Sequence, residues 1–430
     1  MRELGVMLLP RLFRTLVTRN LPATCRVGTP TLARDTVTVI ALALVFFFVP
    51  GSAGFHLAGA QERVPDPPSI RASAWALVDA DTGLYLAGKN PDERLPIAST
   101  TNVMTAFLTL EKGANLNEEV TISDQAERFV GFTYSNIGLI QGERLSIKEL
   151  LVTALVPSGT EAVYALAEHL GDGSVDRFVE KMNAKADSMG LKNTHFENPA
   201  GLDSPGNYSS ARDLAKIARA AIEYPVFAHI VDKREATIST QNRKIEVFNT
   251  NTLLYTYPEV TGVKTGTSPE AGPCFVASAE DGDESYIAVV LGAKDDQYRF
   301  EAAQVALEYG FDSYEQQPLV SRGKVYKESP LPYRRGESVE LAATKEVAGP
   351  TGPGLKVERR ITEEELPPAT RAGQVLGTVG VLVDGHSVGS SPLVAEKGYE
   401  EASLWAKARY AVEWPAEKMW GWLSSQVAAS

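Results

Sequence analysis

Small and large side chains alternate through Ala74-Trp75-Ala76-Leu77 and on to Val78, the chain turns at Asp81-Thr82-Gly83, and apolar residues return in Leu84-Tyr85-Leu86, a pattern that predicts a β-hairpin. The period then lengthens. Val103, Met104, Phe107, Leu108 and Leu110 recur at helical spacing before Gly113, with Ser99 expected as the N-cap. The same spacing predicts helices over Ile147 to Val156, Thr160 to Leu170, Ser174 to Met189, Ala211 to Ile222 and Gln297 to Tyr309. Strand patterns return around Glu235 to Ser239, Lys244 to Phe248, Gly262 to Lys264, Phe275 to Ala279 and Tyr286 to Leu291. Strands at both ends with helices between them predict an α+β fold around one sheet assembled from distant segments. Beyond Tyr314 short alternating stretches broken by Gly and Pro predict a smaller β-rich domain.

Two outlying segments follow other patterns. The apolar run Val37 to Val49 comes after Arg11, Arg14, Arg19, Arg26 and Arg34 and before Pro50-Gly51-Ser52, as a signal peptide does. It falls short of the ~20 apolar residues that a bilayer span needs. Ala58-Gly59-Ala60 supplies a small-residue cleavage pattern before Gln61, while an uncleaved anchor is the other reading of the same run. Both readings put the body outside the cytoplasmic membrane. At the other end Leu404, Trp405, Ala408, Val412, Met419, Trp420 and Leu423 recur near helical spacing among Lys407, Arg409 and Lys418. This tail is expected to lie on a membrane surface as an interfacial helix, with Pro415 as its breaking point; the competing expectation is a helix packed on the β-rich domain. The resulting division is a leader over 1–60, a catalytic domain over 61–315, a β-rich domain over 316–395 and an amphipathic tail over 396–430.

Composition narrows the function. The 430-residue chain has a formal charge of −12, and its first sixty residues are themselves basic, so the body is more acidic still and nucleic acid is not expected as a partner. Its two cysteines, Cys25 and Cys274, lie on opposite sides of the cleavage pattern and cannot make a disulfide framework. With five scattered histidines they offer no metal-site spacing, and neither metal nor cofactor is expected. Cys274 lies in an apolar stretch and is expected to be a core residue.

The segments IASTTNVMTAFLTLE, GLIQGERLSIKELLVTALVPSGTEAVYALAEHL, KNTHFENPAGLDSPGNYSSARDLAKIARAA and TGVKTGTSPEAGPCFVASAE, in that order, resemble the serine D-alanyl-D-alanine carboxypeptidases among the low-molecular-mass penicillin-binding proteins. The resemblance extends over about residues 70 to 395 and includes LPPATRAGQVLGTVGVLVDGHSVGSSPLVA in the later β-rich part. It implies a serine β-lactamase/DD-peptidase-like domain followed by a small β-rich domain. It also implies peptidoglycan stem peptides as substrates and β-lactams as their mimics.

By the same resemblance Ser99 is the nucleophile, Ser158 the hydroxyl of a second motif, and Lys264-Thr265-Gly266 a third motif whose cation meets the substrate carboxylate. Two positions depart from the pattern. Asn102 stands where the first motif has Lys, and Thr160 where the second has Asn. An amide cannot take the Ser99 proton near neutral pH, so Asn102 is expected only to orient Ser99. Thr160 keeps a hydroxyl at a substrate-binding position. Three readings follow: a working carboxypeptidase in which Lys264 acts through Ser158, a catalytically degenerate relative that binds wall peptides or penicillin, and another hydrolase of the fold such as a β-lactamase, for which no clear deacylating Glu stands near the motifs. The runs Asn198 to Leu202 and Tyr208 to Asp213 are read as a turn and a helix start.

Overall fold

The computed structural model describes residues 66–131 and 133–412. The leader, its cleavage pattern and the tail beyond Val412, with Pro415, lie outside these residues. The described residues fall within one compact unit spanning 61–430.

The first half is built on a five-stranded antiparallel sheet. Strands β1 (Ala72–Asp79) and β2 (Tyr85–Lys89) form the expected hairpin, and β1 continues the sheet by pairing with β9 (Glu284–Ala293). Next come β8 (Gly272–Asp281) and, at the edge, β7 (Val260–Ser268), giving the order β2-β1-β9-β8-β7. Both faces are covered, which is why Ala74 to Val78 and Cys274 to Ala279 are almost continuously apolar. Ala74, Ala76, Cys274 and Val276 face the helices, whereas Trp75, Leu77, Phe275 and Ala277 face the C-terminal helix of this half, Tyr298–Ser313. Cys274 is fully buried, as its apolar setting predicts.

The helical side contains α1 (Asn102–Glu111), α2 (Asp124–Glu127), α3 (Ile147–Leu155), α4 (Thr160–Leu170), α5 (Val175–Ser188), α6 (Ala211–Ile222), α7 (Pro225–Val231) and α8 (Leu253–Thr256), and α9 is the helix Tyr298–Ser313. The ends of three of these helices follow local chemistry. Ser146 and Glu149 form a reciprocal capping box on α3, Ser174 caps α5 and Ser210 caps α6. Ser99 does not cap α1. A 3-10 turn over Ala98–Thr101 runs directly into the helix, so the N-cap position is Thr101 with helical dihedrals, and the Ser99 side chain makes no capping bond.

Two short hairpins complete this side. One pairs β3 (Glu119–Thr121) with β4 (Arg144–Ser146), and the other pairs β5 (Glu235–Ser239) with β6 (Lys244–Phe248).

The second half is all β. β10 (Glu315–Val320) pairs with β13 (Val347–Thr351). β11 (Val325–Pro330), β12 (Ser338–Ala343), β14 (Val357–Glu363), β15 (Val375–Val383) and β16 (His386–Ala395) make a sheet of order β11-β12-β16-β15-β14. Its core of Val320, Leu341, Val379, Val381 and Leu393 also takes in Leu84 from the β1–β2 turn. Gln316 Nε2 donates to Asp79, and His386 Nε2 lies 3.2 Å from the Thr82 carbonyl. A helix over 404–412 follows, on which Leu404, Trp405 and Val412 are 85%, 72% and 74% exposed.

Candidate active site

Ser99, Ser158 and Lys264 come from three unrelated stretches of chain, and the fold brings each to the open edge of β7. The 3-10 turn holding Ser99 lies against that edge so closely that a Cβ added at Gly266 would sit 2.9 Å from the Ser99 nitrogen. Only glycine permits this approach. Behind the turn, the Asn198 to Leu202 loop closes on itself, with Asn198 Oδ1 accepting from the Ala200 and Leu202 N–H groups at 3.2 and 2.9 Å. Thr105 Oγ1 donates to the Pro199 carbonyl at 2.7 Å, and Gly201, at φ +77°, passes where any side chain would overlap Ala98. The run read as a turn therefore buttresses the segment that holds Ser99.

Ala98 and Ser158 both have left-handed backbones, at φ +47° and +66°. For residues other than glycine this costs on the order of 1–3 kcal/mol each and survives only where neighbours enforce it. Around Ser158 the enforcement is visible: Gly159 N–H donates to the Thr153 carbonyl and Thr160 N–H to that of Ser135, both at 2.8 Å. The strain lifts Ser158 out of the helical path between α3 and α4 and aims its hydroxyl at Lys264.

Lys264 is 1% exposed. Its Nζ donates to Ser158 Oγ and to the Thr265 carbonyl, each at 2.8 Å. Burial, and after it the Arg299 charge, lowers its pKa from 10.5 to about 7. Near neutral pH this amine is thus divided between its charged and neutral forms.

Asn102 is buried one turn from Ser99, and its amide is bonded elsewhere rather than to that serine. Its Nδ2 donates instead to the Ala154 carbonyl of α3 at 3.0 Å, while its Oδ1 is buried without a partner. The α3 carbonyl lies within reach of the short amide, which therefore bonds across the helix interface. No hydrogen bond to the Ser99 hydroxyl is present among the described residues. Thr160 occupies the first turn of α4 and is also buried.

Three residues escaped the sequence motifs. Arg299, in the first turn of α9, brings Nη1 to the Gly266 carbonyl at 3.1 Å and to Thr267 Oγ1 at 2.6 Å, leaving Nε buried and unpartnered. Thr250 places its hydroxyl 2.6 Å from that of Thr265. Glu161 is fully buried beside Thr160, and its Oε1 accepts from Ile137 N–H at 2.7 Å. Burial pushes its pKa up, and the carboxyl is engaged with the 137–139 backbone rather than offered to a substrate. Only Glu161 adjoined a motif in sequence; Arg299 and Thr250 gave no local signal. Among the described residues no group of three His, Cys, Asp or Glu side chains is placed to hold a metal ion.

Comparison with known proteins places this geometry. The family described as D-alanyl-D-alanine carboxypeptidase matches residues 61–295, and the family described as penicillin-binding protein 5, C-terminal domain, matches residues 314–401. The carboxypeptidase DacF of Bacillus subtilis is 35% identical over 343 residues, covering 77% of this chain and 87% of its own length. DacC of Escherichia coli is 33% identical over 379 residues, covering 85% and 92%. Among solved structures, penicillin binding protein 5 from Haemophilus influenzae has a TM-score of 0.64 at 33% identity, covering 78% of this chain and 99% of that one. A Streptomyces DD-transpeptidase has a TM-score of 0.56 at 36% identity, covering 57% and 99%.

Proposed function

The chain belongs to the D-alanyl-D-alanine carboxypeptidase family, and from that premise we propose that it removes the terminal D-Ala from peptidoglycan stem peptides through an acyl-enzyme on Ser99. The observation that carries this reading is the buried Lys264 amine, with a pKa of about 7, bonded to Ser158. The neutral amine takes the Ser158 proton as Ser158 takes that of Ser99. Ser99 Oγ then bonds the penultimate D-Ala carbonyl carbon, the C–N bond to the terminal D-Ala breaks, and the leaving amine recovers the proton. Water hydrolyses the ester. β-Lactams enter the same path as substrate mimics.

This assignment moves the base from position 102 to the Lys264–Ser158 pair. As the neutral base Lys264 turns its lone pair to the Ser158 hydroxyl and keeps two N–H groups, one for the Thr265 carbonyl and one for a substrate carboxylate. The Arg299 guanidinium, charged at every relevant pH, supplies a second cation at the same strand end. Thr265 and Thr160 offer hydroxyls to the substrate, and Gly266 allows the acyl group to approach the backbone.

We divide the body at residue 315 into a catalytic and a β-rich domain, with the tail from 396 onward, and assign the protein to the outer face of the cytoplasmic membrane. The leader pattern supports export, and the exposed Leu404, Trp405 and Val412 support contact with lipid.

A second reading, a degenerate binder of wall peptides or penicillin, is favoured by one observation: among the described residues the Ser99 hydroxyl has no base in hydrogen-bond contact. Intact mass spectrometry after β-lactam exposure separates the two. We expect a covalent adduct on Ser99 that forms about 10²-fold faster, or more, in Asn102→Lys, where a titratable amine stands one turn from the nucleophile. Absence of an adduct in the wild type establishes the degenerate reading, and equal rates in the two proteins overturn the claim that position 102 limits acylation.

A further inference from the structure

Thr250 belongs to none of the three motifs, and it is held unusually firmly for a loop residue. On one side Asn249 donates Nδ2 to the Val231 and Lys233 carbonyls at 3.3 and 2.8 Å. Its Oδ1 accepts the Asn251 N–H at 2.9 Å, and Asn251 in turn accepts from Leu253 N–H at 3.1 Å. Both asparagines are buried, whereas Thr250 between them keeps partial contact with solvent. Its own N–H donates to the Val156 carbonyl at 3.2 Å, two residues before Ser158. The loop between β6 and α8 thereby ties the second motif to the third through one residue.

The consequence lies in the hydroxyls. Thr250 Oγ1 and Thr265 Oγ1 are 2.6 Å apart, so one hydrogen is used between them and the other remains to be donated. A carboxylate only accepts. Facing one, the favourable chain runs from Thr250 to Thr265 to the carboxylate, each donation strengthening the next. We infer that Thr250 is a positioning residue for the substrate, turning the Thr265 hydroxyl hydrogen toward the terminal carboxylate of a peptide ending in D-Ala-D-Ala. This inference rests on the carboxypeptidase reading above.

The test uses the leader-free body, with peptide affinity read by calorimetry and KM and kcat from D-Ala release. Thr250→Val keeps the shape and removes the hydroxyl; it should raise KM and Kd about fivefold while kcat stays within about twofold. Thr250→Ser should restore wild-type binding. In a Thr265→Val background the Thr250→Val change should have no further effect, because the hydroxyl it served is gone. Unchanged affinity in Thr250→Val overturns the role of Thr250 alone, as does a Thr250→Ser variant that binds no better than Thr250→Val, which would make the site one of packing. A wild-type body that binds no such peptide overturns the carboxypeptidase reading and this inference with it.

Discussion

Lys264 can serve as a base only when neutral, and its burial sets where that happens. In the unfolded chain its amine titrates near 10.5, and in the folded protein near 7. Between these values the unfolded chain binds the proton and the native one does not, so this group makes the fold more stable as pH rises from about 7 to about 10.5, by at most about 1.4 kcal/mol per pH unit. Below about 7 both states are charged and the full cost of burying the cation is present. On the proposed mechanism the same titration governs chemistry. The second-order rate of Ser99 acylation by a fluorescent penicillin should climb through about pH 7 and level off above it. Lys264→Arg, which keeps the charge and does not titrate in this range, should lose both the rate and its pH step. A flat profile in the wild type would remove Lys264 from the proton path.

At the scale of elements, the β5–β6 hairpin is fastened by one ion pair to the segment leading into β4. Glu143, almost fully buried, accepts from Arg243 Nε at 2.8 Å and Nη2 at 2.9 Å, and from Thr240 Oγ1 at 3.1 Å. The Arg243 hydrogen bonds lower its carboxyl from 4.5 to about 2. The folded value is below the unfolded one, so the stabilisation is complete above about pH 4.5 and is lost as pH falls toward about 2. Glu143→Gln should therefore cost about 2 kcal/mol in denaturant unfolding at pH 7. The gap from wild type should narrow from about pH 4.5 downward and close only below about pH 2; a gap that does not narrow would assign the loss to packing. Such pairings explain what the sequence could and could not disclose. Helices α3, α5 and α6 were legible because their caps and apolar spacing are local, α4 through its spacing alone, and the β1–β2 hairpin because its turn is local. The entry into α1 was misread since Ser99 has the chemistry of a cap, while the turn that displaces it is enforced by Gly201 and Gly266, about a hundred residues and more away. Arg299 and Thr250 were silent for the same reason: their roles exist only through the close approach of β7.

For the whole molecule, the helix over 404–412 decides between a packed and a membrane-bound tail. Tyr410 meets the Tyr333 ring edge-on at 5.7 Å, and Lys407 lies 5.7 Å from the same ring, yet Leu404, Trp405 and Val412 face outward. No helix among the described residues is long and apolar enough to cross a membrane, so contact with lipid would be interfacial. Deleting residues from Ser403 onward should leave thermal unfolding of the remainder unchanged and abolish sedimentation with anionic vesicles. Vesicles should also shift the Trp fluorescence of the intact body to the blue; an unfolded truncation together with an intact body that ignores vesicles would make the tail core. A different consequence follows from the pairing of β1 with β9, which sets Ala72 opposite Ala293. The first strand of the sheet must wait during synthesis for the last, and contacts so remote in sequence form slowly. Until β9 arrives, Trp75 and Leu77 have no partners on their strand's free edge, and until β7 follows into place Ser99 lies beside nothing that could activate it. A half-made chain is consequently adhesive, and the proposed Lys264–Ser158 pair meets Ser99 only once the sheet has closed.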